Sequence, residues 1–364
     1  MNEEKISVRN SAFELLRILS MWLITFHHIT NDCGLQSDNI YINIWSQFFT
    51  IGGKLGVNVF VLIGGYFLYE KKFSAFRLVK LHAQVLTYDI IALVIGIIFC
   101  REYVTPMNIM KTFFPVTFSG YWFITAYFGI LILSGVLNAI IHRMTYSEHC
   151  ICILTGIFLL TIIPTFTTQT PYNSNLGWFI ILYFIGAYFR KYETKLKKFF
   201  SNGWIVIVTW FLIFLSSIVM LWLGKRIGFF NEGINFFSGM YILTQLIQSI
   251  SLFLFFEKKQ ITSKFLTKSA KLGKYTLACY LIQSNCILVH YRGNFNRWLW
   301  TDKTALLFPF GIILITVAYC LLAMFIDCLR VKIENVLNIK KIYLKTGNFI
   351  DNHLKALASL IHIS

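Results

Sequence analysis

Near the start of the chain, Glu14, Arg17, His27 and His28 stand inside the otherwise apolar stretch ELLRILSMWLITFHHI, residues 14–29. An ionisable side chain in such a stretch is costly unless paired or hydrated, so each of the four needs a reason. In a helix, eleven residues separate Arg17 from His28 by three turns and about 20°, which puts both on one face roughly 16 Å apart. Glu14 stands three residues before Arg17, close enough to pair with it. His27 falls about 80° off the stripe. Arginine keeps its charge and holds carboxylates and phosphates bidentately; histidine takes and returns a proton near neutral pH. A fixed cation and a titratable base thus share one helix face. The bland alternative is that Arg17 snorkels to one membrane interface and His28 sits at the other.

Three further stretches carry polar groups. GGKLGVNVFVLIGGYFL, residues 52–68, puts Asn58 in mid-span, where it needs a partner, and Gly64-Gly65 where a helix or ligand can approach the backbone. KKFSAFRLVKLHAQ, residues 71–84, brings Lys71, Lys72, Arg77 and Lys80 close to the bilayer, with Arg77 and Lys80 on one helix face. Such a face can hold the phosphates of a nucleotide-like donor; topology or anionic lipid explains the same charges. His82, Gln84 and Asp89 continue the polar stripe into the next span. GKYTLACYLIQSNCILVH, residues 273–290, suits a cavity lining but matches no catalytic template. Tyr121 and Trp122 read as an interfacial aromatic belt. There is no phosphate-binding glycine loop, dinucleotide fingerprint, zinc-protease motif or serine elbow. Adjacent His27 and His28 cannot both reach one metal from a helix, so no metal is expected.

These residues must be positioned by membrane helices. Of 364 residues, 57% are hydrophobic and 13% charged, and 36 are Phe; a soluble domain carries about 25% charged residues. A polytopic, all-α membrane protein follows, with ten candidate spans near 12–31, 46–69, 79–100, 121–141, 149–166, 175–190, 203–223, 235–256, 275–291 and 304–327. The first is too long for a signal peptide's apolar core and no small-residue cleavage site follows it, so it reads as a retained span. The net charge of +17 does not imply nucleic-acid binding, because the basic residues lie in short loops. One side of the membrane collects 24 of them and the other 7, which places both termini in the cytoplasm. Residues 1–11 and 328–364 are then cytoplasmic tails around a membrane domain at 12–327. The eight cysteines show no metal or redox spacing and read as small buried apolar residues.

Taken together, these motifs resemble the membrane-bound acyltransferase 3 family, which O-acylates surface polysaccharides and other exported molecules. The family's first span has an acidic residue, then Arg, then His eleven residues on, matched by Glu14, Arg17 and His28. Its second-span motif is matched by Gly56, Val57, Asn58, Phe60, Gly65 and Tyr66. Its Arg-x-x-Arg is Arg77-x-x-Lys80 here, and its late His is replaced by Gln283. The resemblance implies acetyl-CoA arriving from the cytoplasm as acyl donor, and a hydroxyl of a polysaccharide or lipid-linked sugar as acceptor, at the plasma membrane of a bacterium. It implies catalytic roles for His28, Arg17 and Glu14. The donor would be held by Arg77, Lys80, Asn58 and Lys72. His28 as base and His28 as transient acyl carrier both fit. A transporter of a lipid-linked glycan or small molecule is the alternative from another class, and a membrane scaffold is a third.

Overall fold

The computed structural model describes residues 10–33, 35, 37–99, 101–118, 120–227 and 235–362, and every regular element among them is a helix. In chain order they are α1 (Ser11–Cys33), α2 (Ile40–Thr50), α3 (Gly52–Leu68), α4 (Ala75–Phe99), α5 (Pro106–Phe113), α6 (Trp122–Arg143), α7 (Tyr146–Ile157), α8 (Ile163–Thr167), α9 (Asn175–Lys191), α10 (Lys195–Phe200), α11 (Gly203–Ile227), α12 (Leu243–Glu257), α13 (Lys264–Ala270), α14 (Leu277–Gln283), α15 (Leu288–Leu299), α16 (Phe308–Val336) and α17 (Ile339–His362). Short polar residues start many of them: Asn39, Thr105, Thr145, Ser174 and Ser263 each accept a hydrogen bond from a first-turn backbone N–H.

Seven helical segments among the described residues are long and apolar enough to cross a membrane. α11 and α16 present large apolar side chains outward, including Phe211, Leu215, Phe310 and Leu314. Water would penalise that surface; lipid does not. Inside, α3 and α9 form the most enclosed pair, and α1 lies against α3. The α3–α9 crossing is a backbone contact. A Cβ at Gly65 would stand 2.5 Å from the Tyr183 carbonyl oxygen, and one at Gly186 2.5 Å from that of Leu62. Without a hydrophobic drive between helices, such close approach supplies the attraction. Gly65→Val is therefore expected to destabilise the fold by about 1–3 kcal/mol or more through overpacking. Thermal unfolding in detergent checks this, with Gly120→Val as control, since a Cβ there meets nothing nearer than 3.6 Å.

Three of the ten predicted spans, 12–31, 175–190 and 275–291, are not among these seven. Residues 275–291 do not form a single helix, because α14 ends at Gln283 and α15 begins at Leu288. Asn285 sits in the break, and its Oδ1 accepts from the backbone N–H of Ile287 (2.9 Å) and Leu288 (3.2 Å). A side chain that satisfies freed backbone donors makes such a break tolerable at membrane depth. The proposed C-terminal tail is helical: α16 runs to Val336, and α17 packs along α4.

Candidate active site

A cavity of about 320 Å³ gathers Arg17 from α1, Arg77, Lys80 and Gln84 from α4, Tyr127 from α6, and Gly273, Lys274 and Thr276 from the turn before α14. Among the described residues its wall carries four cationic side chains and no carboxylate. Arg17 Nη1 donates to Oε1 of the buried Glu14, so the predicted pair forms. The guanidinium also sits 6.0 Å from the Phe67 ring centre. The chain at Gly273 packs directly on Glu14, where a Cβ would collide with the carboxylate. Only glycine allows that approach, and it delivers Lys274 to the wall beside Arg17.

The basic stretch is held from two sides and braced from within. Asn138 of α6 donates to the carbonyls of Leu68 (2.9 Å) and Lys71 (2.8 Å), fixing the exit from α3. Arg77 donates to the Lys72 carbonyl. Asp351 of α17 accepts from the Ala75 N–H at 3.0 Å and so caps α4 from the far end of the chain. A smaller cavity of about 170 Å³ adjoins the first through Lys80, Gln84 and Lys274. Its own cation, Arg330, is committed to Asp327 (2.6 Å) and Glu334 (2.5 Å). Burial, with the bond to Glu334, pushes the Tyr343 phenol at its rim up to about 12.

The two histidines separate clearly. His27 is occupied: Nδ1 meets the Thr50 carbonyl at 3.2 Å and Nε2 meets Asn31 Nδ2 at 3.0 Å. His28 is half-buried, with its ring 5.6 Å from that of His27, and makes no hydrogen bond among the described residues. Lys54 and Arg292 lie within electrostatic range of it. Lys54 is over the Trp122 ring at 4.9 Å. Arg292 is balanced by Asp32 through bonds of 2.6 and 2.9 Å. His28 is not on the wall of the cationic cavity; along α1 it stands three turns, about 16 Å, from Arg17.

Two residues expected to hold the donor, Asn58 and Lys72, are not on the wall of the cationic cavity. Asn58 is fully buried, accepts from Trp178 Nε1 at 2.9 Å and donates to the Met240 carbonyl at 3.1 Å. It has the partners mid-span burial demands, and it is not on the cavity wall. Lys72 is exposed and contributes its carbonyl, not its ammonium, by receiving Arg77. Tyr121 also departs from expectation. It is buried, not interfacial, and donates to Asp89 Oδ1, which also accepts from Asn285 Nδ2 at 2.8 Å. Lys274 and Tyr127 were not singled out from the sequence. Lys274 follows Gly273 in the segment GKYT, but nothing in its spacing points back to Glu14 across the chain.

No group of three or more His, Cys, Asp or Glu side chains able to hold a metal occurs among the described residues. The cysteines described are all free. A family model described as an acyltransferase domain matches residues 10–326. No curated protein and no solved structure matched the chain.

Proposed function

Because the chain belongs to the acyltransferase 3 family, and is by its helices a membrane acyltransferase, we propose that it moves an acetyl group from acetyl-CoA to a hydroxyl of a cell-envelope polysaccharide or its lipid-linked precursor. The observation that carries this reading is the gathering of Arg17, Arg77, Lys80 and Lys274 in one cavity, with Arg17 on the same face of α1 as His28, whose imidazole makes no hydrogen bond among the described residues. Four cations without a carboxylate suit the phosphates of a coenzyme A nucleotide. The roughly 16 Å offset along α1 suits a donor whose long thioester arm reaches from the cytoplasmic end towards His28.

In this reading His28 removes the acceptor's hydroxyl proton as the oxygen attacks the thioester carbon. The C–O bond forms, the C–S bond breaks, and the proton passes on to the departing thiolate. Ten crossings would include α1, α9 and the broken pair α14–α15. With both termini in the cytoplasm, they put the cationic cavity at the cytoplasmic face and His28 nearer the outer one. The host membrane is then the plasma membrane of a bacterium.

Purified full-length protein in nanodiscs should release free thiol from acetyl-CoA only when a polysaccharide acceptor is present. A protein that binds acetyl-CoA with no thiol release for any envelope glycan is not this enzyme, and flux of a labelled glycan across the bilayer would then favour a transporter.

A further inference from the structure

Beyond the cationic cavity, a second space of about 360 Å³ lies where the C-terminal half of α1 meets the α14–α15 break and α16. Thr25 and Ile29 of α1, Gln283, Phe295, Asn296 and Tyr319 are on its wall, together with Arg292. Gln283 is 2% exposed, and neither Oε1 nor Nε2 has a partner among the described residues. Asn296 is 1% exposed; its Nδ2 donates to Asp32 at 3.1 Å, while its Oδ1 has no partner among the described residues. Buried amides are nearly always satisfied, and an orphaned one asks what fills the space. Arg292 adds no free charge, since Asp32 matches it bidentately and it donates further to the Gln283 carbonyl.

The wall therefore offers one donor group and two acceptors, with no net charge, among aromatic and aliphatic side chains. An anion finds no unmatched cation here, and a plain acyl chain would leave all three polar groups orphaned. A neutral sugar ring fits, because its hydroxyls both donate and accept and its faces are apolar. Thr25 and Ile29 bracket His28 along α1, and His28 lies about 60° round the helix from Thr25. We propose that this cavity is the acceptor subsite: Gln283 and Asn296 hold a neutral sugar ring, carried on an apolar chain, with a hydroxyl near His28. The role of His28 rests on the acyltransferase reading; sugar binding does not.

Binding of n-octyl β-D-glucoside, n-octyl β-D-galactoside and n-octyl N-acetyl-β-D-glucosaminide, each below its micellar concentration, tests this with full-length protein in nanodiscs. At least one should bind saturably, and Gln283→Leu should weaken it about tenfold or more, because an amide that pairs with hydroxyls is lost. Acetyl-CoA binding should be unchanged in that variant, which shows that it is folded. If Gln283→Leu loses acetyl-CoA binding as well, Leu288→Trp, which fills the cavity from a half-buried position, decides by the same glycoside loss. Only non-saturable partitioning for all three glycosides, or saturation that survives in the folded variant, overturns the subsite. Saturable, Gln283-dependent binding in a protein that never releases thiol would keep the subsite and remove the acyltransferase reading. Thiol release with glycoside binding indifferent to Gln283 would do the converse.

Discussion

His28→Ala is expected to lower acceptor-dependent thiol release by about 10²–10⁴-fold, the usual worth of a positioned general base, while acetyl-CoA binding stays near wild type. The expectation rests on a contrast between neighbours. His27 is held by Thr50 and Asn31, so both of its nitrogens are engaged. His28 makes no hydrogen bond among the described residues, which leaves a nitrogen available for a substrate proton. His27→Ala should behave oppositely. Losing its bonds costs about 0.5–1.5 kcal/mol each, seen as a lower melting temperature with turnover largely kept. Added imidazole should partly restore His28→Ala, since a removed ring leaves space for its equivalent. If His28→Ala keeps more than about a tenth of wild-type turnover, its assignment as base is wrong.

Much of this arrangement was legible because it is local. The Glu14–Arg17 pair and the shared face with His28 need only helical phase, and α1 supplies an unbroken helix from Ser11 to Cys33. Arg77 and Lys80 share a cavity with Arg17, as their i, i+3 spacing on a basic face allowed. What was not legible depends on long-range partners. Asn58 looks like any mid-span polar residue until Trp178 and Met240 are placed against it, and then its amide is seen to join α3 to both. Tyr121 reads as a belt residue in sequence because aromatic type says nothing of Asp89 and Asn285, which lie 32 and 164 residues away. The break after Gln283 is hidden for the same reason. Hydropathy sees a continuous apolar run, whereas Asn285 spends its side chain on the backbone of the next helix. The capping of α4 by Asp351 joins segments 276 residues apart, and no local pattern announces it.

The second large effect concerns the donor. Arg17→Ala should raise the KM for acetyl-CoA by about 10–100-fold, the equivalent of a charge-assisted hydrogen bond of about 1.5–3 kcal/mol. The same change leaves Glu14, 4% exposed, without the guanidinium that now faces it. Removing one member of a buried pair destabilises by about 3–5 kcal/mol, so the single variant mixes two effects. Glu14→Gln with Arg17→Gln separates them, because both charges go together and the pair is replaced by neutral groups of similar size. Stability should recover in the double variant while the KM for acetyl-CoA stays high. Lys274→Ala gives the scale on the other wall. Its ammonium is exposed and rests on Tyr275 at 4.6 Å, so its loss should cost donor affinity only about 0.2–1 kcal/mol. That smaller loss should fade as salt rises, because an exposed charge is screened at a Debye length of about 8 Å under physiological conditions. A donor affinity that recovers along with stability in the Glu14→Gln, Arg17→Gln variant would show that Arg17 serves the helix and not the donor.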